Sequence, residues 1–177
     1  MTTIRTATSQ DRDAIRRIYA SAFPSGESNA VARLAVDLLA ETTTPDIVSL
    51  LAEADGSVVG HVAFSPVVID NGHKCSGYIL APLAVNPEYQ RRRIGSKLIE
   101  HGMARMSAKG VDVVFVYGDP EYYERFGFSA DAAERYIAPY KLQYPFGWQA
   151  FILNEWDLGK GSVPVTCVAA LCNPGLW

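Results

Sequence analysis

Residues 78–117 place an apolar strand, a basic loop, a helix and a second apolar strand in succession, and this order restricts the fold more than any other feature of the chain. Ile94, Leu98, Ile99, Met103 and Met106 recur at helical spacing, and Gly110 stands where that helix must stop. Residues 111–117 follow as a near-continuous apolar run, the pattern of a strand covered on both faces. A helix that returns the chain to a second strand of the same sheet makes a parallel crossover, and such crossovers are right-handed. One parallel pair is therefore expected inside a larger sheet.

The flanking sequence supplies the rest of that sheet. Residues 4–7 form a short β-like run, Thr8, Ser9, Gln10 and Asp11 carry helix-capping chemistry, and Ala14, Ile15, Ile18, Tyr19, Ala22 and Phe23 mark a first helix that ends at Pro24. Val31, Leu34, Ala35, Leu38 and Leu39 repeat the helical pattern, which residues 42–45 close. Residues 47–54, 58–69 and 74–85 are β-rich and are separated by Asp55-Gly56 and Asn71-Gly72, both strong hairpin signals. They read as an antiparallel meander. Pro66 is expected to break its second strand, and Pro82, with no N–H to donate, to leave a gap in the ladder of the third. Beyond residue 117 a short helical turn falls around residues 121–125, residues 148–156 read as a strand, and the tail from Gly159 shows no period. The order β-α-α-β-β-β-α-β-α-β-β describes an α/β mixed sheet with helices on both sides, with residues 1–158 as one domain and residues 159–177 as a tail packed on it.

At 177 residues, 49% hydrophobic and 20% charged, the chain has the composition of an ordinary globular domain. A domain of this size buries roughly 70% of its unfolded surface and needs no metal or disulfide staple. Cys75, Cys167 and Cys172 form an odd set without a C-x-x-C spacing, so free thiols in a reducing, cytoplasmic setting are expected and no metal site is assigned. No apolar stretch approaches the ~20 residues of a membrane span, and residues 2–13 are too polar for a signal peptide. Net charge is −3, but it is unevenly divided: residues 90–110 carry six basic groups against one acidic, while residues 1–89 carry six against ten and residues 111–177 four against eight. A short basic island in an acidic chain suits a small polyanion and disfavours nucleic acid.

That island sits between a strand and a helix start, where free amides and the positive end of the helix dipole make an anion site. Gly95 lets a ligand approach the backbone, and Ser96 can add a hydroxyl. The segment is not a P-loop, since the Gly-Lys-Ser/Thr order is absent.

The run Leu83-Ala84-Val85-Asn86-Pro87-Glu88-Tyr89-Gln90-Arg91-Arg92-Arg93-Ile94-Gly95-Ser96 resembles the acetyl-CoA motif of the GNAT superfamily of N-acetyltransferases, Gln/Arg-x-x-Gly-x-Gly/Ala. Gln90 and Gly95 match it. Arg93 stands where the family has its first glycine, so the backbone there must take a conformation a side chain tolerates, with the Arg93 stem turned outward. A second run, Tyr122-Tyr123-Glu124-Arg125-Phe126-Gly127-Phe128, is similar to the family's aromatic-Tyr-Glu-Lys-Leu-Gly-Phe signature. Gly118-Asp119-Pro120 before it resembles one bacterial branch predicted to be acetyltransferases. The resemblance spans residues 3 to about 155.

The resemblance implies a mostly antiparallel sheet whose one parallel pair, residues 78–85 and 111–117, splays to admit acetyl-CoA. Leu83, Ala84 and Val85 would pair with pantetheine amides as an added strand does. Gln90, Arg91, Arg92, Arg93, Ile94, Gly95 and Ser96 would surround the pyrophosphate. Tyr123 holds the position of the general acid for the departing thiolate. Many relatives carry a basic glutamate where this chain has Ala81; Asp119 or a water chain could substitute, and Asp119 reads equally as a turn residue before Pro120. His61, His73 and His101 lack a paired carboxylate motif and read as structural or surface residues, and Ser65 and Cys75 have no nucleophile signature. The implied activity is direct acetyl transfer from acetyl-CoA to a small-molecule or peptide amine, without nucleic acid or membrane partners; a homodimer is compatible with it. The alternative is a non-catalytic acyl-CoA-binding or regulatory module on the same fold.

Overall fold

The computed structural model describes residues 1–70, 72 and 74–177. Asn71 and His73 lie outside the described residues, and with Asn71 the expected Asn71-Gly72 turn. Eight strands form the sheet, six of them in the order β1-β2-β3-β4-β5-β7: β1 (Thr2–Thr6), β2 (Val48–Ala54), β3 (Ser57–Ile69), β4 (Gly77–Val85), β5 (Val113–Tyr117) and β7 (Trp148–Ile152). The short strands β6 (Tyr136–Ile137) and β8 (Val163–Thr166) pair with each other, and β8 also pairs with β3. The parallel pair expected from the crossover is β4 with β5, from Gly77 opposite Val113 to Leu80 opposite Val116, but it does not stand alone: β6 and β8 also pair parallel, Tyr136 opposite Val163 and Ile137 opposite Pro164. The fold is a mostly antiparallel mixed sheet with helices, as read from the sequence. By internal contacts the chain divides into two compact units, Met1–Phe64 with Ala81–Met103, and Ser65–Leu80 with Ala104–Trp177.

In the first unit β1 and β2 pair antiparallel, from Thr2 opposite Ala54 to Thr6 opposite Leu50. β2 turns into β3 at Asp55 and Gly56, whose φ values of 51° and 74° match the twisted hairpin turn that Asp-Gly favours. The helices α1 (Arg12–Ala22) and α2 (Ser25–Ala40) present the stripes legible in the sequence. Ile15, Ile18, Tyr19, Ala32 and Ala35 close over Leu51 and Ala84 as one buried cluster. Asp11 anchors the start of α1, accepting from the Thr8 amide at 2.7 Å and from both Arg5 guanidinium nitrogens at 2.8 and 2.9 Å. The Arg5 bond holds the Asp11 carboxyl well below the usual carboxylate range, against the opposing effect of burial. The third helix, α3 (Ile94–Ala108), begins in this unit, and Phe64 packs closely against it because Gly102 has no side chain: a Cβ there would lie 2.1 Å from the ring.

In the second unit β5 is fully buried from Val113 to Val116 and pairs antiparallel with β7, from Val113 opposite Ile152 to Tyr117 opposite Trp148. Phe115 stacks on Trp148 at 5.0 Å and meets Tyr136 edge-on at 4.9 Å, so aromatic packing forms the core here. Two short helices, α4 (Pro120–Tyr123) and α5 (Ala130–Ala133), link β5 to the later strands.

Several sequence expectations change in detail. Pro66 does not break β3, which runs on from Ser57 to Ile69; it falls between the last β2 partner, at Phe64, and the first β8 partner, at Val68, where neither of those two ladders asks it for an N–H. The third meander strand starts at Gly77 rather than at residue 74, and the strand expected over 148–156 ends at Ile152, where Leu153 and Asn154 turn their amides to the Asp112 carbonyl. The aperiodic tail contains β8.

Candidate active site

The loop that follows β4 is braced by its own polar groups. The Asn86 amide bonds the Val59 carbonyl at 2.8 Å, its side chain accepts from the Glu88 amide at 3.0 Å, and the Gln90 side chain donates to the Val85 carbonyl at 3.1 Å. The first recorded bond of α3 runs from Lys97 N–H to the Arg93 carbonyl at 3.0 Å. Among the described residues the amides of Arg91, Arg92, Arg93, Ile94, Gly95 and Ser96 have no partner, and the positive end of α3 lies among them. Gly95 is buried and Ser96 half-buried.

Arg91 and Arg93 have φ values of 63° and 61°. This corrects the expectation for Arg93: its backbone is not in a conformation ordinary for a side chain but in the left-handed region, which glycine enters freely and other residues at a cost of about 1–2 kcal/mol. The loop thus keeps a glycine-like path at the position where the sequence has no glycine. The stem does turn outward, reaching Glu100 at 4.0 Å with the side chain 80% exposed. Arg92 lies over the Tyr89 ring at 4.9 Å.

Upstream, β4 carries Leu83, Ala84 and Val85 at its end. Its parallel pairing with β5 stops at Leu80, one residue before Ala81-Pro82, and no pairing with β5 is recorded for the three residues in question. Ala84 is buried, while Leu83 and Val85 are partly exposed. Their main-chain groups are the kind an extended ligand can bond.

The second unit holds the other candidate residues. Gly118 follows β5, and Asp119 caps α4 by accepting from the Glu121 amide at 3.0 Å. Asp119 is exposed, and capping accounts for one of its oxygens. The Tyr123 ring lies directly on Gly118, where a Cβ would come within 2.6 Å of its Cε2, and packs edge-on against Tyr122 at 5.0 Å and Phe128 at 5.9 Å. Among the described residues its hydroxyl has no hydrogen-bond partner. Burial raises the Tyr123 phenol above its ordinary value near 10, so at neutral pH it carries its proton.

A residue that sequence reading missed steadies this turn. Gln149 on β7 is 0% exposed, and its amide nitrogen donates to the carbonyls of Gly118 and Gly147, each at 3.3 Å, while its Oε1 has no partner among the described residues. A glutamine inside an otherwise apolar strand was the available signal. His61 proves structural: fully buried, it bonds Tyr19 through Nδ1 and Ser49 through Nε2, both at 2.8 Å, and burial pushes it down to about 3. His101 is exposed on α3, and Ser65 is buried with its hydroxyl unpartnered among the described residues.

A model of the acetyltransferase (GNAT) domain matches residues 3–130, which include the loop, α3 and Tyr123. The chain belongs to the GNAT acetyltransferase family. It is 40% identical to YjhQ of Escherichia coli K12, an uncharacterised N-acetyltransferase, over 75% of this chain and 72% of that one. The GNAT N-acetyltransferase YhbS of Escherichia coli, solved in complex with CoA, matches 97% of this chain and 92% of its own at 28% identity, with a TM-score of 0.82. A GNAT acetyltransferase from Brucella melitensis, solved in complex with acetyl-CoA, matches 96% of this chain and 97% of its own at 32% identity and a TM-score of 0.69. Within the GNAT framework this structure groups Leu83, Ala84, Val85 and residues 90–96 in one unit and Asp119 and Tyr123 in the other.

Proposed function

We propose that this chain transfers an acetyl group from acetyl-CoA directly to a primary amine. The observation that carries the reading is the run of six consecutive unpartnered amides, Arg91 to Ser96, at the start of α3. Such a run fits a pyrophosphate, which needs many donors at close quarters and tolerates no bulk between them. The CoA and acetyl-CoA complexes of the two GNAT relatives support the same assignment. Gln90 fixes the loop through Val85, and Leu83, Ala84 and Val85 offer main-chain groups to the pantetheine arm.

Bound acetyl-CoA supplies an activated thioester. The amine must attack neutral, so a proton has to leave it, and the departing sulfur has to gain one. Tyr123 donates that second proton: its phenol is protonated at neutral pH and has no competing partner in the protein. Asp119, or water beside it, takes the proton from the amine. The acceptor is a small-molecule or peptide amine, and the three free cysteines suit a cytoplasmic enzyme. Among the described residues no helix is long and apolar enough to cross a membrane.

The test is CoA release from acetyl-CoA over a panel of amines, run beside calorimetric titration with CoA. Amine-dependent release with stoichiometric CoA binding is the expected result. CoA binding without turnover on any amine would favour the binding module, and the absence of both would remove the cofactor assignment.

A further inference from the structure

We propose a second ligand site in the groove between α1 and α2, taking a small organic dianion with an apolar body, such as an aryl or alkyl phosphate monoester. The groove is open to solvent on one side and offers about 410 Å³, within the range of small-molecule sites. Arg12 and Arg16 stand one turn apart on α1, and Arg33 lines the groove from α2. The floor is apolar, formed by the buried Ala32 and Val36 of α2, with the exposed Ala20 of α1 at the rim.

The charge distribution is what needs a ligand. Residues 1–89 carry six basic groups against ten acidic, yet three of those six cations line this one cavity, and among the described residues Asp37 is the only carboxylate lining it. Like charges at i and i+4 on a helix repel by a few tenths of a kcal/mol, so the Arg12 and Arg16 arrangement is not favoured by helix formation. Internal pairing does not compensate for it. Arg33 meets Asp37 at 3.6 Å with its side chain 84% exposed, Arg12 meets Asp13 at 3.8 Å with both side chains more than half exposed, and Arg16 has no ion pair among the described residues. Exposed pairs at such distances contribute little, so the guanidinium groups stay available. The three lining cations and the lining carboxylate leave two positive charges, offset in part by Asp13 at the edge beside Arg12, and a phosphate monoester carries −1.5 to −2 near neutral pH. Guanidinium groups take phosphate oxygens in paired bonds, and the apolar floor accommodates the ester group. This site uses none of residues 83–96 and does not rest on the acetyltransfer reading.

Phenyl phosphate is the probe, titrated by calorimetry and by amide NMR into protein saturated with CoA, so that the α3 loop is already filled. We expect binding that shifts α1 and α2 amides, at least tenfold tighter than inorganic phosphate. Replacing Arg16→Gln and Arg33→Gln together should weaken it at least tenfold with CoA affinity and melting temperature unchanged, and Asp37→Asn should tighten it about threefold. No binding, binding indifferent to the double substitution, or equal affinity for inorganic phosphate overturns the proposal. If the wild-type protein fails to bind CoA, the acetyltransfer reading falls, while the response of phenyl phosphate binding to the double substitution still decides this one.

Discussion

The loop before α3 and the turn after β5 place their chemistry in opposite parts of the residue. In the loop the useful groups are main-chain amides; the arginine side chains lean away, Arg92 onto Tyr89 and Arg93 toward Glu100. In the turn the Asp119 side chain caps α4, and the group proposed for the chemistry is one side-chain oxygen, the Tyr123 hydroxyl. The loop should therefore tolerate changes of side chain and fail with changes of backbone path, and the turn should do the reverse. The units also differ in what holds them together. Among aromatic residues only Tyr19, Phe23, Phe64 and Tyr89 lie in the first, which instead buries the Tyr19, His61 and Ser49 network, whereas the second packs ring against ring.

The largest effect should come from removing the hydroxyl. Tyr123→Phe is expected to lower kcat by 10²–10⁴-fold, the usual contribution of a general acid, with CoA affinity unchanged. Tyr122→Phe serves as the mild control. Near-normal turnover in Tyr123→Phe would return that ring to a packing role.

Gly118→Ala tests the same turn without touching the hydroxyl. The added methyl must displace the Tyr123 ring, and a displacement near 1 Å should cost up to about 10²-fold in kcat, again with CoA binding intact. A loss confined to CoA affinity would contradict the division drawn above.

For the loop, Gly95→Val should weaken CoA binding roughly tenfold or more, and Arg93→Ala clearly less, because the first obstructs the cradle and the second removes screened charge. Calorimetric dissociation constants in the opposite order would make the Arg93 side chain a principal phosphate ligand.

The smallest effect concerns stability. His61 is neutral in the folded chain down to about pH 3, while its unfolded form takes up a proton near 6.5. Between those values the unfolded state binds a proton that the native state does not, so stability is full above pH 6.5 and falls as pH drops, by at most about 1.4 kcal/mol per unit. Denaturant titrations from pH 6.5 to 4.5, above the range of most carboxylates, should show this slope, and His61→Gln should flatten it.

Much of this was legible beforehand. The crossover at residues 78–117, the stripes of α1 and α2 and the Asp55-Gly56 turn were read from periodicity and turn chemistry, because each is a local pattern. β6 and β8 were not, since two- and four-residue strands carry no period and exist only through partners distant in sequence. Pro66 was misread for a related reason: whether a missing N–H matters depends on which neighbouring strand lies beside it. In the site, Gln90, Gly95 and Tyr123 were marked by motif, whereas Gln149 was not, because its partners Gly118 and Gly147 are carbonyls and any residue supplies those. The left-handed backbone at Arg91 and Arg93 was hidden by the arginines themselves.

The loop also bears on how such proteins drift. A binding group that every amino acid except proline carries is not lost when the residue changes, so mutation can rewrite the letters of residues 91–96 while the donors stay in position. Here an arginine has taken the glycine's path and its strain, and the free amides remain. Chains whose loop text has wandered further than this one could hold the same ligand, and a search keyed to glycines would pass over them.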